Sequence, residues 1–195
     1  MANWTLIENQ LSDILNDDYY REKHGISSPR QYARECIQRA QGSALPAYSG
    51  EIGVVELKHP ARPGLPTRLM RGFDSTRSHS PYGEWWIDSE LFDRFRRAAS
   101  TMPPVLREQK IKAFMRARSA VSHDWSNLAG ISELQLPSGS RTAALVGKAH
   151  YQAFVNDPKH PDYVPNVFLI GGDLQFYICI RDRSWIRHLS AGAAA

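Results

Sequence analysis

The ten residues Gly171-Gly172-Asp173-Leu174-Gln175-Phe176-Tyr177-Ile178-Cys179-Ile180 constrain the fold of this chain more than any other stretch. Strict alternation sets Leu174, Phe176, Ile178 and Ile180 on one side of a strand and Asp173, Gln175 and Tyr177 on the other. The apolar side builds a core. The polar side is either the wet face of an edge strand or the lining of a cleft. A glycine pair directly ahead lets backbone or ligand approach closely, and an aligned acid, amide and phenol reads as half of a nucleotide-binding cleft.

The remaining chain divides into helices first and mainly strands afterwards. Trp4, Ile7, Leu11, Ile14 and Leu15 recur at helical spacing, with Asn3 as N-cap and an end near Asp17. Ser28-Pro29-Arg30-Gln31 reads as a capping box with proline at the first helical position, opening a second helix that buries Tyr32, Cys36 and Ile37 and stops before Gly42. Residues 42–50 are a connection, residues 53–57 a short strand, and residues 59–66, with three prolines, a loop. Strands follow at 67–73, 131–136 and 142–149, together with the one after Gly172. Between them, Asp88 or Ser89 caps a helix through Phe92 and Phe95, and residues 105–118 form another with Ile111, Phe114 and Met115 inward. This order predicts an α+β domain and excludes a doubly wound parallel sheet. The expected division is a helical layer over 1–50, a sheet domain over 51–189 and a flexible tail over 190–195.

Composition limits the function classes. Of 195 residues 42% are hydrophobic, enough for a sizeable core, and 24 basic against 20 acidic residues leave a net charge of +4, too modest to announce a polyanion partner. Cys36 and Cys179 fall in no metal-ligand spacing and read as buried thiols of a reducing compartment. There is neither a basic region followed by an apolar run at the start nor an apolar run of membrane-spanning length. A soluble chain is expected, cytoplasmic or delivered into a target cell without a standard signal peptide.

Arg71, in the run Leu69-Met70-Arg71-Gly72-Phe73, either leaves the sheet face or finds a charged partner, since isolated burial of a guanidinium is costly. With Gly72 beside it, Arg71 suits a pyrophosphate through two parallel charge-assisted hydrogen bonds; the alternative is pairing with Asp74 or Glu56. Trp85 and Trp86 project to opposite sides of a strand, so one enters the core while the other is free to stack on a flat ligand. Residues 122–127, Ser-His-Asp-Trp-Ser-Asn, read as a hydrogen-bonded turn. His79 and His123 offer no metal-binding arrangement, and no G-x-S-x-G elbow, Rossmann fingerprint or P-loop occurs. Arg107, Lys110, Lys112, Arg116 and Arg118 make the 105–118 helix basic, which admits a binding module for nucleic acid or an acidic protein. A His123/Asp124 hydrolase is the remote third reading.

Taken in order, Leu69-Met70-Arg71-Gly72-Phe73, Tyr82-Gly83-Glu84-Trp85-Trp86, residues 121–127, Leu136-Pro137-Ser138-Gly139, Gly147-Lys148-Ala149 and Gly171-Gly172-Asp173-Leu174-Gln175 resemble the ADP-ribosyltransferase-like superfamily, in particular its small bacterial toxin and effector domains. The resemblance covers residues 67–180 and implies a split β-sandwich around an NAD cleft, with NAD as substrate and no metal. It implies that Arg71, with Gly72, holds the dinucleotide, that Trp85 or Trp86 walls the nicotinamide, and that Ser78 or Ser80 supplies a hydroxyl. Gln175 falls where the principal glutamate is expected, with Asp173 and Tyr177 on the same strand side. That glutamine is a departure, because an amide orients a hydroxyl or water but cannot neutralise an oxocarbenium-like ribose. Asp173, Glu133, Glu90 or Asp162 then stands as the acid. The implied activity is transfer of ADP-ribose to a macromolecular acceptor, or to water as an NAD glycohydrolase, and the implied partner is an immunity or antitoxin protein.

Overall fold

A computed structural model describes residues 2–43, 52–60, 63–77, 82–119, 121, 126–150 and 152–189. Ser78, Ser80, His79, His123, Asp124, most of the 42–50 connection and the 190–195 tail lie outside the described residues.

Three helices open the chain: α1 (Trp4–Leu15), α2 (Asp18–His24) and α3 (Pro29–Ser43). The Asn3 side chain accepts from the Leu6 N–H at 3.1 Å, capping α1 as its sequence predicts. Asp17 does the same for α2 through the Tyr19 N–H at 2.9 Å, and Gly25, left-handed at φ 66°, ends it. The sequence does not announce α2, which buries Tyr20 as its single residue and so carries no apolar period. α3 also runs on through Gly42, past its expected end.

Seven strands form one antiparallel sheet: β1 (Gly53–Lys58), β2 (Arg68–Phe73), β3 (Trp85–Asp88), β4 (Gly130–Gln135), β5 (Arg141–Lys148), β8 (Leu174–Ile178) and β9 (Ile186–Leu189). Their order is β1-β5-β8-β3-β2-β4-β9, and the short pair β6 (Gln152–Ala153) and β7 (Phe168–Leu169) stands apart. Helices α4 (Ser89–Ala99) and α5 (Pro104–Arg118) sit between β3 and β4 in sequence. Asp88 caps α4 by accepting from the Glu90 N–H at 2.9 Å, while Pro103 and Pro104 start α5 with no side-chain cap. The α+β class is therefore observed.

The described α-helices, α1–α5, pack on one face of the sheet. The α1–α3 layer shares a core with Ala143, Leu145, Tyr177 and Cys179. Helices α4 and α5 bury Phe92, Phe95, Ile111 and Met115 against Met70, Ile87 and Ile131. The opposite face carries Leu57, Leu69, Trp86, Leu134, Phe176 and Ile178, all buried, with Leu65, Leu136 and Trp185 from flanking loops. No described α-helix covers this second face, yet Leu57, Leu69 and Leu134 on it are each fully buried. Burying one such leucine contributes about 2 kcal/mol, so a flat, open sheet would forfeit several times that.

One expectation is corrected here. The Asp173/Gln175/Tyr177 side of β8 is neither wet nor open, because the helical layer and the end of α5 cover it. Leu174, assigned to the core side, is exposed. Alternation reports two chemically different sides but not which layer lies against each.

Candidate functional site

Register decides which residues share a face. Met70 stands opposite Ile87, Ile87 opposite Gln175, and Trp85 opposite Tyr177. Gln175 and Tyr177 therefore lie on the helix-covered face, and Arg71, one residue past Met70, lies on the other. The structure does not bring Arg71 together with Asp173 and Gln175.

Each residue of the polar trio has structural work. Gln175 donates its amide N–H to the Ser119 carbonyl just beyond α5 at 2.6 Å. Asp173 receives the Arg118 guanidinium through two parallel hydrogen bonds of 3.0 and 2.7 Å. Tyr177 is buried, its ring edge-on to Trp85 at 4.9 Å, and burial pushes its phenol pKa well up. The glycine pair admits backbone: Gly171 donates to Ala117 O at 2.8 Å and Gly172 to Ala149 O at 2.7 Å. A side chain at Gly171, left-handed at φ 63°, would overlap the Ala149 and His150 carbonyls.

Trp86 is fully buried in the core on the face of Arg71, and the half-buried Trp85 packs on Tyr177 and the helical layer. At Gly72 an added Cβ would meet Leu128 and Met115, so that glycine serves packing beneath α5.

Arg71 anchors what remains. It is half-buried, and its Nη1 donates to the Trp85 carbonyl at 2.7 Å. Burial pushes its pKa down to about 10, with Glu84 opposing that shift and Arg181 adding to it. Of the partners considered in the sequence, Glu56 binds Arg141 and Tyr20, and Asp74 accepts from Thr76. Gly83 lies against the Arg71 guanidinium, where any Cβ would overlap it.

Around Arg71 the strand order gathers further polar groups. Arg71 stands opposite Ser132 on β4, and Ser132 opposite His188 on β9, giving a row across three strands. Ser132 Oγ lies 3.0 Å from His188 Nδ1, and His188 Nε2 lies 3.2 Å from the Tyr82 hydroxyl. Arg181 donates to the Tyr82 carbonyl and, at 2.9 Å, to Glu84 Oε1. Tyr82, Gly83 and Glu84 thus form a short strap over the row. Tyr82, Gly83 and Glu84 belong to one of the segments that carry the resemblance, but His188 and Arg181 carry no local signal, since only sheet order brings them here.

The alternative acids sit elsewhere. Glu133, opposite Met70, lies on the helix-covered face and pairs with Arg68 and Arg187. Glu90 lies in the first turn of α4, and Asp162 is an exposed loop residue near His160. The basic helix is likewise engaged: Arg116 donates to the Val121 and Ser126 carbonyls, Arg118 holds Asp173, Lys112 pairs with Glu108, and Lys110 lies over Phe114. Such commitments leave no clean cationic stripe for nucleic acid. Among the described residues no group of three or more His, Cys, Asp and Glu is arranged to hold a metal ion, and no helix is long and apolar enough to cross a membrane.

No protein-family model and no curated protein matches the chain. Among solved structures, it is similar to Rhs1-CT in complex with cognate immunity protein RhsI1, at 14% identity and a TM-score of 0.41, over 79% of this chain and 89% of that one.

Proposed function

We propose that this chain is an NAD-consuming enzyme of toxin or effector type, which cleaves the bond between nicotinamide and ribose and passes ADP-ribose to a protein or nucleic-acid acceptor, or to water. In that step the C1′–N bond breaks and its electron pair stays on the ring nitrogen, so neutral nicotinamide leaves. The acceptor oxygen bonds to C1′ and releases its proton.

One observation carries the reading. Arg71, on which the resemblance places the dinucleotide, lies on a central strand of the sheet against the Tyr82–Glu84 strap, in one cross-strand row with Ser132 and His188. Arg71 supports it further, being a half-buried cation whose ionisation is disfavoured by burial and helped by Glu84. A diphosphate beside it would relieve that cost with two parallel charge-assisted hydrogen bonds. An immunity or antitoxin protein that restrains the activity belongs to the same proposal, as does a site of action inside a cell.

The test is incubation of the purified protein with NAD alone and with cell lysate, following free nicotinamide and macromolecule-bound ADP-ribose. Release from NAD alone supports hydrolysis; release that needs lysate, with label on protein or nucleic acid, supports transfer. Absence of both from folded protein overturns the reading. Arg71→Ala is expected to lower nicotinamide release on the order of 100-fold, the usual loss when a charge-stabilising donor is removed.

A further inference from the structure

Cleavage of a ribose C1′–N bond builds positive charge on the sugar, and enzymes that break such bonds set a carboxylate beside it. If Arg71 holds the diphosphate, that carboxylate has to lie on the face that Arg71 occupies. Asp173, Gln175 and Glu133 are on the other face, each already bonded to its own partner. Glu56 is on that face too, opposite Ala143, and is tied to Arg141 and Tyr20. Asp88 shares the face of Arg71 but caps α4, and Asp74 closes a turn through Thr76.

Glu84 meets the requirement. The β3–β8 register continues through it, since the Glu84 carbonyl accepts from the Ile178 N–H at 2.9 Å, so its side chain alternates with that of Trp85 and lies with Trp86 on the face of Arg71. Its charge acts on Arg71, and its Oε1 is held at 2.9 Å by Arg181, whose other amino group binds the Tyr82 carbonyl. The Glu84 side chain is 31% exposed, so solvent and ligand have access to it.

We infer that Glu84, positioned by Arg181, is the carboxylate that faces the nicotinamide ribose and stabilises its developing charge. The inference rests on the NAD-consuming reading and names the acid of that same site. Arg181 fixes the Glu84 carboxylate and adds cationic charge near the diphosphate, while Arg71 grips it.

The experiment compares wild type, Glu84→Gln and Glu84→Asp in the full chain. NAD dissociation constants come from calorimetry, nicotinamide release from turnover, and folding from circular dichroism. Glu84→Gln keeps the size of the side chain and an oxygen for Arg181. Its NAD affinity should stay within about threefold of wild type while release falls on the order of 100-fold, and Glu84→Asp, which keeps the charge, should recover part of the rate. If wild type turns over NAD and Glu84→Gln keeps more than about a third of its rate, Glu84 is not the acid, though the NAD reading stands. If affinity and rate fall together, Glu84 only holds the strap, and the inference is overturned. Should Glu84→Gln not fold, folded Glu84→Asp decides by the same split between retained binding and slowed release. Wild type that releases no nicotinamide under either incubation overturns the NAD reading itself.

Discussion

Arg71 and Gln175 point to opposite faces of the sheet although only β3 lies between their strands, because Gln175 is in register with Ile87, Ile87 with Met70, and Arg71 follows Met70. Gln175 is accordingly a tether between β8 and the end of α5 and takes no part in a cleft with Arg71. Gln175→Ala leaves the Ser119 carbonyl without this donor in a buried position. The expected cost is about 1–2 kcal/mol, read as a lower urea midpoint with an unchanged slope. An unaltered midpoint would show that the hydrogen bond contributes nothing net.

Gly83 tests the strap from the other side. An alanine Cβ there would overlap the Arg71 guanidinium, which is fastened to the Trp85 carbonyl, so the side chain has to leave that position. Gly83→Ala should keep the fold, since Gly83 has no positive φ among the special backbone angles and lies outside the cores. NAD affinity should weaken on the order of tenfold, the size of losing one good charge-assisted hydrogen bond. Wild-type affinity in a folded Gly83→Ala variant would remove Arg71 from the binding site.

Much of the secondary structure was legible because it is written in short-range chemistry. Asn3, Asp88 and the proline at 29 announce helix starts, and the alternation after Gly172 announces β8. What was not legible is long-range. Nothing local distinguishes a polar strand side facing solvent from one covered by α1–α3, and the Arg118 that neutralises Asp173 lies 55 residues away. The site suffered most: Arg71 was readable as a costly cation within an apolar run, whereas its faces and neighbours depend on register across β3, β4 and β9. The strand β9 itself, Ile186–Leu189, has too little apolar period to be recognised.

Arg141 joins the helical layer to the sheet. It binds Asp17 at 2.9 Å and the buried Glu56 at 2.6 Å, its backbone N–H donates to the Tyr19 hydroxyl, and its guanidinium lies over both Tyr19 and Tyr20. Removing the cation takes from the buried Glu56 carboxylate its ion pair with Arg141. Arg141→Met is therefore expected to cost about 3 kcal/mol, and Glu56→Gln in the same background should recover part of it. Paired denaturation curves check this. Additive losses would show that the two side chains do not depend on each other.

His24 gives stability a distinct pH dependence. Its ring packs against Tyr19, Tyr20 and Trp185, its Nε2 is buried without a partner among the described residues, and burial holds its pKa below the ordinary value, against a smaller upward pull from Asp182. A depressed histidine pKa means that the unfolded chain binds the proton more readily. The stabilisation is present above the unfolded value of about 6.5 and is lost as pH falls from there through the folded value. Asp17 and Asp182, whose pKa values are lowered chiefly by hydrogen bonds from Arg141 and from Ser184, add a second loss that sets in only below about pH 4. Unfolding midpoints measured from pH 8 to pH 3 should fall in two stages. His24→Phe, which keeps an aromatic ring without a titrating nitrogen, should abolish the first stage and leave the second. A first stage that survives the substitution would assign it to a group other than His24.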